Sequence, residues 1–155
     1  MADADWPVDF RGVTETVVTT LGPNERWNVA VLGVHAPADP DAIATARTWG
    51  QTRTRRNFAD RGEGYVQFTA DPETFARAAL TIVEVDDPIL DSADAWARAA
   101  VERRDAGQDG DAEWIDWALT PIESTVARRT VPTTNRGYGA VIEATVAASR
   151  LDVDA

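Results

Sequence analysis

Residues 11–36 read RGVTETVVTTLGPNERWNVAVLGVHA, two stretches of alternating character on either side of a turn signal. Residues 11–21 are rich in valine and threonine and residues 26–36 in valine and alanine, as is typical of half-buried strands. The Gly22-Pro23-Asn24 sequence between them favours a turn. The stretch therefore predicts an antiparallel β-hairpin.

The rest of the chain adds short strands and a few helices. Asp71 and Pro72 form an N-cap followed by a proline at the first helical position, a strong helix start. Further strands are predicted at residues 42–50, 65–69, 95–105 and 113–122, a short helix or turn at 52–60, and a last helix at 135–151. About six strands joined by hairpin turns favour a small, mainly β (α+β) barrel with a C-terminal helix over a doubly wound sheet.

The chain is expected to form a single domain. Residues 1–9 are predicted to be a flexible acidic leader, residues 10–130 the barrel, and residues 131–155 a helical segment packed on it.

The charge balance is strongly acidic, with 26 acidic and 15 basic residues and a net charge of −11. All of the basic residues are arginine, and the chain contains no lysine. Molar salt screens the repulsion within such an acidic surface, so this composition is typical of the cytosol of a halophile that accumulates salt. It argues against nucleic acid and anionic membranes as partners, and the absence of a signal peptide predicts a cytoplasmic protein.

The residue inventory excludes several kinds of site. The chain has no cysteine and one histidine, His35. This excludes disulfides, thiolate metal sites and a histidine-clustered metal centre, so no metal is expected. No catalytic residue can be assigned, and any redox chemistry must come from a cofactor.

An arginine- and threonine-rich stretch, RTWGQTRTRRNF at residues 47–58, stands out in this acidic chain. Threonine hydroxyls, backbone N–H groups at a helix N-terminus and arginines together can bind a phosphate. The alternative is that Arg53, Arg55 and Arg56 pair with surface carboxylates. The residues alone leave both interpretations open.

Asn28 is a polar residue within the apolar second strand. If buried, its side chain needs a hydrogen-bond partner. A cofactor ring edge is one candidate and the neighbouring strand is the other.

The order of these motifs resembles that of the FMN-binding, flavin-reductase-like split-barrel flavoproteins. The motifs are the strand TETVVTT, N-x-A-x-x-G, R-T-x-x-x-T-R-T-R-R-N-F and G-Y-V-Q-F-T-x-D-P-x-x-F. Among these flavoproteins the chain resembles the archaeal family known as domain of unknown function 447. The tail PTTNRGYGAVIEATVAASRL is similar to that family's C-terminal part, so the resemblance covers residues 10–151.

The resemblance implies noncovalently bound FMN. It implies that Asn28, Val29 and Ala30 lie along the isoalloxazine ring, and that Thr48 lies near the ribityl chain or the ring. It assigns the phosphate to the turn and helix start at Gly50, Thr52, Arg53, Thr54 and Asn57. Asn135 and Arg136 would contact FMN or a second ligand; the alternative is a helix N-cap with an interface salt bridge.

Two functions are expected from this resemblance. The first is an FMN-dependent oxidoreductase acting on a small-molecule substrate, in which the flavin carries the chemistry. The second is a non-catalytic FMN-binding carrier or scaffold protein. A homodimer is expected because small split barrels leave one barrel face open, and six tryptophans exceed what one small core buries.

Overall fold

The computed structural model describes residues 4–39 and 42–151, which form seven strands and three helices. In chain order these are β1 (Val13–Leu21), β2 (Trp27–His35), β3 (Ala44–Trp49), α1 (Arg53–Arg61), β4 (Glu63–Phe68), α2 (Pro72–Leu80), β5 (Val83–Val85), β6 (Ala95–Asp109), β7 (Ala112–Val126) and α3 (Arg136–Leu151). The expectation of a mainly β chain with short helices and a C-terminal helix is confirmed.

Six strands close into an antiparallel barrel in the order β1-β4-β6-β7-β3-β2, and β2 pairs back to β1. The predicted hairpin forms as expected, with Val13 opposite His35 and Leu21 opposite Trp27. β3 pairs with β2 only near His35, whereas β5 pairs with β2 only at Trp27–Val29. β3 and β5 therefore share one edge of β2: β3 pairs with its His35 end, and β5 pairs with its Trp27 end.

The structure differs from the expected elements in two places. β5 was not predicted, because three residues are too few to show a period of two. The hairpin of β6 and β7 is also longer than expected: Ala106–Asp109 pair with Ala112–Ile115. The turn is confined to Gly110 and Asp111, where Gly110 has a φ of +63° that favours glycine.

Alternate residues of the six barrel strands point inward and form the main core. Phe58 of α1 joins this core, and its ring meets that of Trp117 edge-on, with centroids 5.3 Å apart. The Trp117 indole Nε1 donates to Thr48 Oγ1 at 3.0 Å, so both polar groups are satisfied inside the barrel. α1 is thus part of the barrel's core rather than an external layer.

Helix α2, between β4 and β5, and helix α3, after the last strand, cover the outer face of β1 and β2. Phe75 of α2 packs with Val17 and Val29 from the strands, and Ile142 of α3 contacts the same cluster. Tyr138 of α3 donates its hydroxyl to the Thr69 carbonyl oxygen at 3.3 Å. Helix α3 therefore packs over α2, and residues 152–155 of the predicted helical segment lie outside the described residues.

The segment expected to be a flexible leader is partly anchored. Met1–Asp3 lie outside the described residues. Trp6 packs edge-on against Phe10, with ring centroids 5.0 Å apart, and contacts the barrel core. Burial of these aromatic side chains is favourable, which explains why this segment follows the barrel surface.

The close approach of α1 to the barrel depends on Gly64 of β4. A Cβ at this position would lie 3.0 Å from Phe58 Cε1 and 3.2 Å from Thr20 Cγ2. We expect Gly64→Ala to lower the free energy of unfolding by about 1–3 kcal/mol through overpacking. Gly139→Ala in α3 is the control for an added methyl group, because nothing lies within 4 Å of its Cβ position; helix propensity should raise its stability by up to about 1 kcal/mol. Urea unfolding measures the stability of both variants. If Gly64→Ala were as stable as the wild type, the close approach of α1 would not depend on this glycine.

Candidate functional site

A cavity of about 340 Å³ lies between α1, the β1–β2 turn and β5. Its lining residues are Gly22, Pro23, Asn24, Asn28, Arg53, Arg56, Asn57, Asp60 and Glu84. The four residues from α1 are spaced three or four apart and therefore lie on one face of the helix. The cavity is consequently built from one helix face, one turn, one residue of β2 and one residue of the short strand β5.

Asn57 fixes α1 beside this cavity. Its side-chain Nδ2 donates to Thr20 Oγ1 at 3.0 Å and lies 3.4 Å from the Thr20 carbonyl oxygen. Both residues are buried, so loss of either partner would leave an unsatisfied polar group. This hydrogen bond joins the middle of α1 to Thr20, the second-last residue of β1.

The N-terminus of α1 is capped and carries no acidic residue in its first turn. Thr52 is the N-cap, and its Oγ1 accepts a hydrogen bond from the Arg55 N–H at 3.2 Å. The partial positive charge of the helix terminus is therefore not offset by an acidic side chain of the helix itself. Arg53, the first helical residue, adds a full positive charge to the same end.

The cavity carries two cations and two anions. Arg53 forms an ion pair with Glu84, with Nη1 and Oε1 3.0 Å apart. Asn24 Nδ2 also donates to this carboxylate, at 3.2 Å from Oε2. Among the residues that the structure describes, Arg56 takes part in no ion pair. Its guanidinium is thus the one in the cavity lining that keeps all of its donors for a ligand.

The turn before α1 is held by Glu113 of β7. Gly50, at a φ of +69°, donates its N–H to the Glu113 carbonyl oxygen at 2.8 Å. The Glu113 carboxylate accepts hydrogen bonds from Arg55 at 3.1 Å and from Gln51 at 2.9 Å. The hydrogen bond from Arg55 lowers the pKa of Glu113 below its ordinary value. The helix start is thereby fixed to the barrel wall.

The structure brings three of the residues expected at the site to the cavity: Asn28, Arg53 and Asn57. Gly50 and Thr52 lie immediately before α1, in the turn and at the cap, and do not line the cavity. Thr54 is in the first turn of α1 and is buried. Arg53 and Arg55 each pair with a carboxylate, as the alternative interpretation of the arginine cluster expected.

The side chains of three other expected residues point elsewhere. Val29 packs against α2 on the outer face of β2, because alternate residues of a strand lie on opposite faces. Ala30 contacts the barrel core, and Thr48 is bonded to Trp117 inside the barrel. In this chain these side chains do not line the cavity.

Asn135 and Arg136 lie at the start of α3. Asn135 Oδ1 accepts a hydrogen bond from the Tyr138 N–H at 3.0 Å, the geometry of an N-cap. Tyr138 is anchored at Thr69, just beyond the end of β4, and packs on Phe75 of α2. Neither Asn135 nor Arg136 is among the residues that line the cavity.

Sequence reasoning missed several lining residues. Arg56 and Asp60 follow Arg53 by three and seven residues, so the helical period of the predicted segment could have identified them. Asn24 was assigned only a turn role. Glu84 gave no signal, because the strand that positions it was not predicted.

Two family models match the sequence. The model for the protein of unknown function (DUF447) N-terminal domain matches residues 14–128, and the model for the C-terminal part of the same family matches residues 135–155. The chain belongs to the DUF447 family. A search of curated proteins found no match to it.

Solved structures of other proteins share the fold. An FMN-bound DUF447 protein from Methanosarcina mazei has a TM-score of 0.76 at 22% identity, over 94% of this chain and 78% of that one. Nitrilotriacetate monooxygenase component B from Bacillus cereus has a TM-score of 0.56 at 15% identity, over 80% and 74%. An FMN-binding protein from Thermus thermophilus with bound p-hydroxybenzaldehyde has a TM-score of 0.54 at 16% identity, over 82% and 81%. The expected split-barrel fold is confirmed.

None of the helices in the described part of the chain combines the length and apolar character needed to cross a membrane.

The Glu113 contacts predict a pH-dependent turn. The pKa of Glu113 is lower in the folded chain than its unfolded value of about 4.3, so its carboxylate stabilises the fold above that pH. This contribution is lost as the pH falls through the folded pKa. We therefore expect the amide resonance of Gly50 to shift in an NMR titration from about pH 6 to about pH 3. Glu113→Gln should remove that shift, and an unchanged titration in the variant would assign it to another group.

Proposed function

We propose that this protein is a flavoprotein that binds FMN noncovalently, with the phosphate at the cavity beside α1. The observation that carries the proposal is the convergence of Arg53, Arg56 and the N-terminus of α1 in a chain of net charge −11. Two arginines bring this lining close to electroneutrality in an otherwise acidic protein, which favours an anionic ligand here over the rest of the surface. The FMN-bound relative from Methanosarcina mazei supports the choice of FMN.

The donors at the site fit the chemistry of FMN. The arginines and the first-turn N–H groups of α1 suit a phosphate dianion. The amide side chains of Asn24, Asn28 and Asn57 lie in the same lining and suit the hydroxyls of a ribityl chain. We also propose Thr52 and Thr54 as phosphate contacts, because they belong to the same helix start.

FMN, when bound, supplies hydride- and electron-transfer chemistry that protein side chains lack. We propose an FMN-dependent oxidoreductase acting on a small-molecule substrate, in which this chain binds and orients the cofactor. A non-catalytic FMN carrier differs in one measurable property. Bleaching of the flavin absorbance by NADH or NADPH, followed by reoxidation with an added acceptor, supports the enzyme, and an unresponsive bound flavin supports the carrier.

We also propose a homodimer with the flavin sites near its interface. Half-buried aromatic rings follow one another on the outer barrel wall: Trp27 lies 5.4 Å from Tyr65, and Tyr65 lies 5.6 Å from Trp96. Trp49 on β3 is 46% exposed. Aromatic side chains of this kind are enriched in interfaces.

We further propose that this is a cytoplasmic protein of a haloarchaeon. An acidic chain whose basic residues are all arginine supports this setting.

The phosphate assignment predicts different losses for two ligands. Arg53→Ala should weaken FMN binding about ten- to hundredfold, because a charge-assisted hydrogen bond contributes about 1.5–3 kcal/mol. Riboflavin, which lacks the phosphate, should bind the variant nearly as well as the wild type. Calorimetric titrations of both ligands in molar salt measure the difference.

Arg104→Ala is the matched control for that experiment, because Arg104 is an exposed arginine of β6 outside the cavity. It should leave both affinities unchanged. Equal losses of FMN and riboflavin in Arg53→Ala would place the phosphate elsewhere. A wild-type protein that binds neither ligand would contradict the flavoprotein proposal itself.

The homodimer proposal predicts a particle of twice the 16.8 kDa chain mass. Light scattering coupled to size exclusion in molar salt measures it, since salt strengthens apolar association and screens repulsion. A monomer mass across all concentrations, with FMN bound, would contradict the dimer.

A further inference from the structure

Glu84 is the residue on which three separate parts of the cavity converge. Its carboxylate accepts hydrogen bonds from Arg53 of α1 at 3.0 Å and from Asn24 of the β1–β2 turn at 3.2 Å. Its carbonyl oxygen accepts a hydrogen bond from Arg26 at 3.0 Å. Glu84 itself lies in the middle of β5, opposite Asn28 of β2. The Glu84 carboxylate thus contacts both the helix α1 and the β1–β2 turn.

The ion pair with Arg53 leaves the cavity lining close to electroneutral. Arg53 and Arg56 supply two positive charges, and Asp60 and Glu84 supply two negative charges. Arg53 donates one N–H of Nη1 to the carboxylate, so a phosphate that takes this N–H replaces the Glu84 oxygen, and a phosphate held by the other guanidinium N–H groups lies beside the Glu84 charge. A phosphate that approaches Arg53 also approaches a negative charge, which opposes binding.

This ion pair is weak enough to be replaced. The side chains of Arg53 and Glu84 are 42% and 27% exposed, and pairs of such exposure change an equilibrium constant by less than about fivefold. A simple anion that exchanges one contact for another gains little. A phosphate monoester whose remaining atoms bind elsewhere in the cavity can compensate for the lost pair through those additional contacts.

We propose that Glu84 is a built-in counter-ion for Arg53, which holds the anion position in the free protein and gives way to the phosphate of the cofactor. This rests on the proposed binding of FMN and concerns selection at that site. Glu84 makes Arg53 a poor binding group for chloride and inorganic phosphate, while a ligand held by several further contacts still binds. It is a positioning residue that sets anion specificity, at a cost in affinity for FMN.

The variant Glu84→Gln tests this role, because it removes the charge and keeps an amide oxygen that can accept the hydrogen bond from Asn24. We expect FMN to bind about three- to tenfold more tightly, from the released ion pair and the removed repulsion. Riboflavin should change by less than about twofold, because it carries no phosphate to meet the charge. Inorganic phosphate, used as the competitor, should displace FMN from the variant at lower concentration than from the wild type.

Two controls separate this effect from a general change in charge. Asp86→Asn removes the same unit charge next to β5, where Asp86 pairs with Arg26 at 3.6 Å instead of Arg53. It should leave FMN affinity within about twofold, as expected for an exposed charge. In an Arg53→Ala background, Glu84→Gln should lose the part of its gain that comes from the released ion pair, because that pair is already absent.

The outcomes are distinct. Weaker FMN binding in Glu84→Gln would mean that Glu84 orients Arg53 for the ligand. An effect on FMN affinity equal to that of Asp86→Asn would mean that only the general charge of the surface matters. Either result overturns the proposed counter-ion role of Glu84. If the wild type binds no FMN, the proposed function fails, and the counter-ion is tested with inorganic phosphate alone. The Arg53 side-chain Nε resonance should then respond to phosphate in Glu84→Gln and not in the wild type; equal responses overturn the inference.

Discussion

The buried hydrogen bond between Asn57 and Thr20, 3.0 Å long, determines where α1 lies against the barrel. Phe58, the next residue, enters the core beside Trp117, so a polar and an apolar contact fix neighbouring positions of one helix. Every residue that α1 contributes to the cavity follows from this placement. A shift of α1 would leave both amide and hydroxyl groups unsatisfied, which is why the geometry is specific.

An acidic protein can gather cations at one place only by local arrangement of its few basic residues. The chain has a net charge of −11, yet the turn and first helix after β3 concentrate arginines, and Thr52 begins a helix whose first turn has no acidic residue. Glu113 fixes the turn and Glu84 holds Arg53, so carboxylates position the very cations that they partly neutralise. The net charge of the cavity lining therefore results from opposing charges that nearly cancel.

Sequence patterns predicted those features that depend on local periodicity. Alternation and a turn signal gave the first hairpin, and the N-cap and proline at Asp71 and Pro72 gave α2. The arginine and threonine cluster indicated a functional role for the segment that forms α1, and one face of this helix lines the cavity. β5 and Glu84 could not be predicted, because they depend on pairing with β2 across about 55 residues of chain, and a three-residue strand shows no periodicity. For Asn135 the sequence left the N-cap open as an alternative, and only the packing of α3 on α2 shows that the residue lies away from the cavity.

The alternation of β2 explains why Asn28 reaches the cavity while its neighbour Val29 does not. Asn28 lies opposite Thr20, the residue that binds Asn57, and Val29 packs under α2. A one-residue change of register would bury the amide beneath α2 and turn the valine toward the arginines. The apolar layer of α2 and α3 therefore enforces the register that assembles the polar site on the opposite face. The covering helices act on the site through this register, although the residues that line the cavity all come from α1, the β1–β2 hairpin and β5.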